Sequence, residues 1–393
     1  MSLPIQLPFE QAHPLELPPR LRTLREQGPV HRVRTSVGHE AWLVTGYQEV
    51  RSLLADDRFG RSHPEPDKAA RMGESLLFGG PMGNHETEKA DHARMRSLLQ
   101  PHFSPGRMRR LRSRVATLTT ELLDELAKNG SPADLHQAIA LPLPILVICE
   151  LLGVPYEDRA EFRTWSEAAG DVTDRERSSW GLNELYAYGS QLVVRKRAEP
   201  GDDVISRMCL AGEMADDEIA MMSMGVLFAG HETTVVQIGL GTLLLLTNPI
   251  QRQAVLDDPS MIGAMIEEML RSPTKSGNGG GIPRYAHADV EVGDVLIRSG
   301  ELVILDTSGA NHDPAEFTDP TLFDIHRYGA AHLTFGHGPH YCIGAPLARI
   351  ELQEVFSQLI PRFPTLRLAV PIEDLRMRHD TLTGGLVELP VAW

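Results

Sequence analysis

Residues 335–349 read FGHGPHYCIGAPLAR, a glycine-rich stretch with one cysteine just before an apolar helix. Glycines lack Cβ, so they let the backbone pass close to a flat or bulky group and they tolerate positive φ. Cys342 precedes the predicted helix N-terminus, where free N–H groups and the helix dipole favour a thiolate. The stretch therefore predicts that Cys342 is either a nucleophile or a metal ligand.

The composition is that of an acidic globular protein. Hydrophobic residues make up 42% and charged residues 23% of the 393 residues, which is typical of a chain with a large core. The formal net charge of −15 argues against nucleic-acid binding, which needs a basic surface. Cys149 and Cys209 lie in apolar helices and are interpreted as core residues. Three widely spaced cysteines make no disulfide framework, so we expect a reducing, cytoplasmic location.

The sequence predicts neither a signal peptide nor a membrane segment. Residues 1–20 are rich in proline and lack both a basic start and an apolar run. Residues 219–247 are strongly apolar, but His231 and Glu232 stand at their middle and would be costly in lipid. This stretch is therefore interpreted as a core helix of a soluble protein.

The order of the predicted elements indicates a mainly α protein with small β-sheets at each end of the sequence. We expect one domain over residues 1–393 because no repeat, linker or composition break divides it. A long irregular loop over 58–91 is expected to be functional, since loops of this length usually are. The predicted elements are a hairpin at 29–45, a helix from Tyr47, helices across 92–153, two helices in 156–196, a long helix from Asp216 or Asp217 to Thr247, a helix over 250–272, and strands at 289–292, 295–298 and 302–305.

Several familiar enzyme motifs are nearly present and can be excluded. HETTV at 231–235 begins like the zinc-protease HExxH motif, but Val235 replaces the second histidine. GNGGGI at 277–282 fails the dinucleotide-binding pattern at its last position and follows a helix. The sequence contains neither a GxSxG elbow nor a Walker loop, so those enzyme classes are excluded.

Three further patterns accompany the cysteine stretch. AGHETT at 229–234 places glycine and an acid–alcohol pair within an apolar helix, where an unpaired carboxylate is costly. A packing glycine beside a satisfied core glutamate is the alternative. Glu268-x-x-Arg271 spans one helical turn, a spacing that is usually a solvated surface pair. His92 and Arg96 share one helix face.

The spacing Phe335-x-x-Gly338-x-x-x-Cys342-x-Gly344 resembles the haem-binding loop of the cytochromes P-450, and LAR at 347–349 extends the match. The resemblance covers essentially the whole chain and is closest to soluble bacterial members that tailor actinobacterial natural products, such as polyene-macrolide hydroxylases. It implies the single-domain cytochrome P-450 fold, with haem b between the long central helix and the cysteine loop. Cys342 is then the axial iron ligand, a thiolate that favours O–O cleavage, and Phe335, Gly336 and Gly344 lie beside the cofactor.

The resemblance also assigns the other motifs. It implies that Glu232 and Thr233 deliver protons to bound oxygen, and that Ala229 and Gly230 lie where the helix kinks beside the oxygen-binding site. It implies that Glu268 and Arg271 form a buried pair joined by Arg327, which anchors the segment leading to the cysteine. The residues implied to bind the haem propionates are His92, Arg96, Arg284 and His340.

The implied activity is that of a monooxygenase, which inserts one oxygen atom from O2 into a small apolar molecule. Because the chain has no flavin or nicotinamide motif, electrons are expected from NAD(P)H through a separate reductase and a ferredoxin. The protein is also expected to be a monomer. The basic cluster of arginines at 107, 109, 110, 112 and 114 is either a ferredoxin-docking surface or a solvated helix face. A peroxide-driven peroxygenase and a haem sensor or carrier are the alternative functions.

The substrate is expected to be a polyketide macrolactone or a similarly bulky apolar natural product, with terpenoids and fatty acids as alternatives. The loop at 58–91 can open for a large molecule, and Phe228, Met82 and the glycines at 279–281 are expected to form an apolar pocket wall. The stretch TKSGNGGG at 274–281 is longer and richer in glycine than the resemblance leads us to expect.

Overall fold

The computed structural model describes residues 5–11, 13–272 and 281–393, and it is mainly helical. The glycine-rich stretch at 274–280 lies outside the described residues. The α-helices are α1 (Pro19–Gln27), α2 (Tyr47–Ala55), α3 (Glu88–Leu99), α4 (Pro105–Asn129), α5 (Pro142–Leu152), α6 (Arg159–Ala169), α7 (Arg175–Ala198), α8 (Val204–Ala211), α9 (Asp216–Thr247), α10 (Pro249–Asp257), α11 (Ile262–Arg271), α12 (Thr307–Ala310) and α13 (Ala345–Arg362).

The strands join residues from both ends of the sequence. They are β1 (Ile5–Gln6), β2 (Val30–Arg34), β3 (Glu40–Val44), β4 (Phe59–Gly60), β5 (Ala133–Asp134), β6 (Ile282–Ala286), β7 (Val290–Val292), β8 (Val295–Ile297), β9 (Leu302–Leu305), β10 (Arg367–Leu368) and β11 (Pro390–Ala392). The largest sheet has the order β1-β2-β3-β9-β6-β4, with β3 and β9 parallel. The smaller sheets are β10-β11-β5 and the pair β7-β8.

Helix α9 is the centre of the main hydrophobic core. It packs against α5, α7, α11 and α13, and side chains such as Leu227, Ile238 and Leu243 are fully buried. By length and composition α9 could span a membrane, but most of its apolar stretch is buried inside the protein. The interpretation of residues 219–247 as a core helix is confirmed.

Most of the predicted elements are present, including the hairpin of β2 and β3, the paired helices α6 and α7, and the end of α9 at Thr247. Two predicted helix starts were wrong. Helix α3 begins at Glu88 and not at His92, and the carboxylate of Glu88 in its first turn accepts hydrogen bonds from the N–H groups of Arg61 and Ser62. Neither Asp216 nor Asp217 caps α9. The carboxylate of Glu218 reaches back to the N–H of Ala215 instead, at 2.9 Å.

The predicted helix over 250–272 is two helices, α10 and α11. Pro259 cannot donate a backbone hydrogen bond and starts a short 3-10 turn at Pro259–Met261 between them. Asp258 accepts the N–H of Ser260 at 3.0 Å and caps that turn. Strand β6 was not predicted, because its sequence IPRYA has a proline at the second position and does not alternate clearly.

Candidate active site

The cysteine loop is a tight curl that begins at Phe335 and ends at the start of α13. The N–H of Cys342 donates to the carbonyl oxygen of Phe335 at 2.9 Å, which closes the curl. Gly336 and Gly338 have positive φ, at 74° and 70°. A Cβ on Gly338 would lie 2.8 Å from the Cα of Ala55, so this position requires glycine. The loop therefore fits closely against the end of α2.

Cys342 is an exposed residue, whereas Cys149 and Cys209 are buried. Surrounding protein atoms nevertheless partly desolvate the Cys342 thiol and raise its pKa, and the N–H groups of Gly344 and Ala345 partly offset this effect. A raised pKa does not suit a free thiolate nucleophile. A metal ion displaces the thiol proton when it binds, so this environment favours the metal-ligand alternative.

An exposed stripe runs along the otherwise buried helix α9. Gly225, Ala229 and Thr233 follow one another at intervals of four residues, which places them on one face, and all three are exposed. A Cβ at Gly225 would meet no atom within 4 Å. Helix α13 begins three residues after Cys342 and packs against α9, so the stripe lies on the helix against which the helix after the cysteine loop packs.

Gly230 has a packing role. A Cβ at this position would lie 2.8 Å from the Cδ1 of Ile148, so the glycine lets α5 approach α9 closely. The described α9 is continuous across 229–234, with the hydroxyls of Thr233 and Thr234 donating to the carbonyls of Ala229 and Gly230 at 2.9 and 3.4 Å. The contact of Ala229 and Gly230 with the cofactor stays a prediction.

The acid and the alcohol of this segment occupy different faces of α9. Thr233 is exposed, whereas Glu232 is buried and accepts a hydrogen bond from the hydroxyl of Thr383 at 3.4 Å. Burial raises the pKa of Glu232, although Arg378 lowers it. Burial also lowers the pKa of His231 to about 4, so its ring is neutral beside Glu232. The described contacts join Glu232 and Thr233 only through the helix, so a proton moving between them requires an intervening water.

The Glu268-x-x-Arg271 motif forms a buried pair, as expected. Arg271 donates to both carboxylate oxygens of Glu268 at 2.8 Å, and both residues are at most 4% exposed. Arg327 donates from Nε to the same carboxylate at 3.1 Å. Arg271 also donates to the carbonyl of Asn311, and the side chain of Asn311 accepts the N–H of Leu333. This chain of bonds leads directly to the start of the cysteine loop.

Sequence reasoning missed Glu267, the neighbour of Glu268. Its carboxylate accepts hydrogen bonds from Nε and Nη2 of Arg349 at 2.7 and 2.9 Å. It also contacts Nε2 of His332 at 3.2 Å. The guanidinium of Arg349 also lies over the ring of Phe335, 4.6 Å from its centroid. The only signal in the sequence was the pair of glutamates in EEMLR at 267–271. This signal does not identify partners that lie more than sixty residues away.

The four residues expected to bind carboxylates lie together. The rings of His92 and His340 are 3.9 Å apart, and Arg96 donates to the carbonyl of Tyr341 at 2.7 Å. Arg284 is 6% exposed, and among the described residues it forms no ion pair. Burial and the nearby charge of Arg61 lower its pKa to about 10. A buried arginine without an anion is costly, so this cluster fits a ligand that carries carboxylates.

Together, the thiol, the exposed stripe and the cation cluster fit haem b, which has iron, a flat macrocycle and two propionates. The Cytochrome P450 family model matches residues 194–381. Pentalenolactone synthase of Streptomyces exfoliatus is 42% identical over 394 residues, covering 99% of each chain. Mycinamicin IV hydroxylase/epoxidase of Micromonospora griseorubida is 40% identical over 397 residues, again covering 99% of each.

Solved structures give the same result. The substrate-free P450 PimD, a polyene macrolide antibiotic pimaricin epoxidase, is similar with a TM-score of 0.90 at 41% identity, covering 100% of both chains. A likeness at this level of identity over the full length of the chain extends beyond the fold to the protein family. The chain therefore belongs to the cytochrome P450 family, and it is a monooxygenase with haem b as its cofactor.

Proposed function

We propose that this enzyme oxidises a bulky apolar natural product, most specifically a polyketide macrolactone. The observation that carries the proposal is that three irregular segments meet beside α9, at residues 72–84, 170–172 and 380–383; they are called the cover below. The N–H of Glu74 donates to the carbonyl of Val172 at 3.1 Å, and the N–H of Leu382 donates to that of Gly170 at 2.9 Å. Because only a few backbone hydrogen bonds and the bridge between Asp171 and Thr381 join them, the segments are proposed to separate and admit a large molecule.

The cover contacts α9 at Phe228 and at Glu232, the proposed proton donor. Gly170 lies against Phe228, where an added Cβ would be 3.4 Å from the ring, and Thr383 donates to Glu232. The names of two relatives support a macrolide substrate, since one is a mycinamicin IV hydroxylase/epoxidase and the other a pimaricin epoxidase. Terpenoids and fatty acids remain the competing substrates, because apolar contacts discriminate little beyond size.

The expected pocket wall is revised in detail. Phe228 is buried against the end of α6, and Met82 is half-buried beside Arg61. Gly281 has no room for a side chain, because an added Cβ would lie 2.6 Å from Cγ2 of Ile304. Gly281 thus packs on β9, and the glycines at 279–280 lie outside the described residues.

The proposal assigns a task to each residue of the site. Bound haem would supply the activation of dioxygen, and Cys342 is proposed as the thiolate that would hold its iron. His92, Arg96, Arg284 and His340 are proposed to hold the propionates. Thr233 and Glu232 are proposed to pass protons from the buried side of α9 to its exposed face, since general acid–base transfer requires positioned groups. Glu232 is buried, with Thr383 of the cover as its hydrogen-bond donor, whereas Thr233 is exposed.

The redox partner is proposed to be an acidic ferredoxin that docks on the basic cluster, supplied by a reductase that uses NAD(P)H. The cluster lies in the first turns of α4, which packs against α13, the helix that follows Cys342. Arg112 pairs with Glu354 on α13 and Arg114 pairs with Glu150. Arg109 and Arg110 are exposed and form no ion pair among the described residues, so they are free to attract a partner.

The same proposal includes a cytoplasmic monomer. The odd number of cysteines, of which two are buried and all are free, supports a reducing compartment. Light scattering after size-exclusion chromatography should give a mass near 43.4 kDa. A mass of twice this value at micromolar concentration would replace the monomer with a dimer.

A spectral titration tests the substrate. Purified ferric enzyme is titrated with macrolactones, terpenoids and fatty acids, and the Soret band reports the loss of iron-bound water. We expect a micromolar response to at least one macrolactone. The variant Phe228→Ala, which removes a ring at the cover, should change the order of affinities, whereas Leu210→Ala, at an exposed position of α8, should not. A response to a terpenoid or fatty acid with none to any macrolactone would overturn the substrate proposal and leave the monooxygenase assignment intact.

A further inference from the structure

Arg61 is an enclosed cation without an anionic partner among the described residues. It follows β4, and its guanidinium lies over the ring of Phe78, with Cζ 5.0 Å from the centroid. Its Nη2 lies 2.6 Å from the Sδ of Met82, which is a weak acceptor. Burial lowers the pKa of Arg61. A guanidinium with five donors in such a setting is only partly satisfied.

The nearest acid, Glu88, is engaged by other groups. Its carboxylate accepts the main-chain N–H of Arg61 at 2.6 Å, the N–H of Ser62 at 3.0 Å and the Ser62 hydroxyl. It also lies 3.8 Å from Nε2 of His287. Glu88 therefore fixes the backbone at Arg61 and forms no ion pair with its side chain.

Arg61 belongs to the cation cluster described above. Gly60 on β4 pairs with Tyr285 on β6, which brings Arg61 close to Arg284, and Arg61 lowers the pKa of both Arg284 and His92. The carboxylate of Glu88 attracts both arginines but forms no ion pair with either side chain among the described residues, so the two like charges repel one another in this protein alone. An arrangement of this kind is stable when an anion with more than one carboxylate joins the cations.

We propose that Arg61 is a further haem-propionate ligand, and that its contacts with Phe78 and Met82 connect the propionate to the cover segment 72–84. Arg61 was not among the residues that the sequence pointed to. A substrate carboxylate is the other anion that could reach an arginine here. The position beside Arg284 and His92 favours the propionate, because those residues are themselves proposed to hold the propionates, and the inference rests on that part of the proposed function.

The test compares holoenzymes of wild type, Arg61→Gln, Arg61→Lys and the control Arg58→Gln. Arg58 directly precedes β4, as Arg61 directly follows it, but Arg58 is exposed and paired with Asp56. The first readout is the rate of haem transfer to excess apomyoglobin. Loss of a charge-assisted hydrogen bond should make transfer from Arg61→Gln about tenfold faster. The transfer rate of Arg61→Lys should lie between those of wild type and Arg61→Gln, because lysine keeps the positive charge and loses the bidentate guanidinium. The rate of Arg58→Gln should match that of wild type.

The second readout is hydrogen exchange of the holoenzymes. With haem still bound, residues 72–84 of Arg61→Gln should exchange faster than in wild type, and α9 should not change. Wild-type haem transfer in Arg61→Gln, together with weaker binding of a carboxylate substrate but not of its methyl ester, would assign Arg61 to the substrate and overturn the proposal. Faster haem transfer with unchanged exchange in 72–84 would refute the connection to the cover.

Discussion

Arg349 on α13 donates two hydrogen bonds to Glu267 on α11, at 2.7 and 2.9 Å. His332 contacts the same carboxylate at 3.2 Å. Because His332 precedes the cysteine loop and Arg349 follows it, one carboxylate holds both ends of the loop. The neighbouring Glu268–Arg271 pair is hydrogen-bonded through Asn311 to the segment that leads into the loop. Two adjacent glutamates on α11 therefore position the loop that carries Cys342.

Glu267 makes the stability of the protein depend on pH at the acid end. Burial opposes ionisation, but hydrogen bonds from Arg349 and His332 outweigh it and hold the pKa of Glu267 at about 2, below its ordinary value of 4.5. A depressed pKa contributes stability that is present above the unfolded value and is lost as pH falls from about 4.5 to about 2. In Glu267→Gln this contribution should be absent, so the unfolding free energy should fall less steeply in that range.

Urea denaturation at pH 7 and at several values below pH 4.5 measures this difference. Glu125→Gln is the matched control, because Glu125 is an exposed partner of Lys128 at 3.5 Å and should leave the slope unchanged. Equal slopes for wild type and Glu267→Gln would show that the contact with Arg349 has no energetic role.

Cys342 is expected to be the thiolate that holds the haem iron, because it is exposed just before α13. Cys149 and Cys209 are buried in the main hydrophobic core, where no cofactor can reach them without unpacking it. The reduced carbon monoxide complex of the double variant Cys149→Ala/Cys209→Ala should keep the red-shifted Soret band of thiolate ligation. Cys342→Ala should lose this band. Its persistence in Cys342→Ala would transfer the role to one of the buried thiols.

The sequence allowed the elements around the site to be predicted where a local pattern carries the information. The continuous apolar run of α9, the helical turn from Glu268 to Arg271 and the glycines around Cys342 are all patterns of neighbouring residues. The break at Pro259 was also a local signal, but the apolar periodicity on both sides of it outweighed the proline in the prediction.

The contacts that could not be predicted join distant parts of the chain. Gly230 faces Ile148 because α5 crosses α9, and Arg61 reaches the cluster around Arg284 because β4 pairs with β6. Side chains of these types occur at many positions, so only the packing of the folded chain selects the ones that meet. Glu267 is the clearest example, since a surface glutamate would have the same sequence context.

Thr233 is expected to act in proton delivery, and its neighbour offers a matched control. Thr233 is exposed on the stripe of α9, whereas Thr234 is buried and bonded to Gly230. Thr233→Ala should keep its haem and reduce the fraction of electrons recovered in product about tenfold or more, with hydrogen peroxide formed instead. Thr234→Ala should remain coupled. Unchanged coupling in Thr233→Ala with a tightly bound substrate would remove this residue from proton delivery.

Ferredoxin docking is best tested at the two arginines that have no partner among the described residues. Reversing Arg112 would also disturb Glu354 on α13, so Arg109→Glu/Arg110→Glu isolates the long-range charge. Steering by a basic surface raises association rates at low salt and is screened as ionic strength rises. The double variant should therefore be reduced about tenfold more slowly at low salt and show a flatter dependence on salt.

Arg20→Glu/Arg22→Glu on α1 makes the same change in net charge and should be reduced at the wild-type rate. Equal slowing by both double variants would mean that the partner responds only to the overall charge, and α4 would then be a solvated helix face.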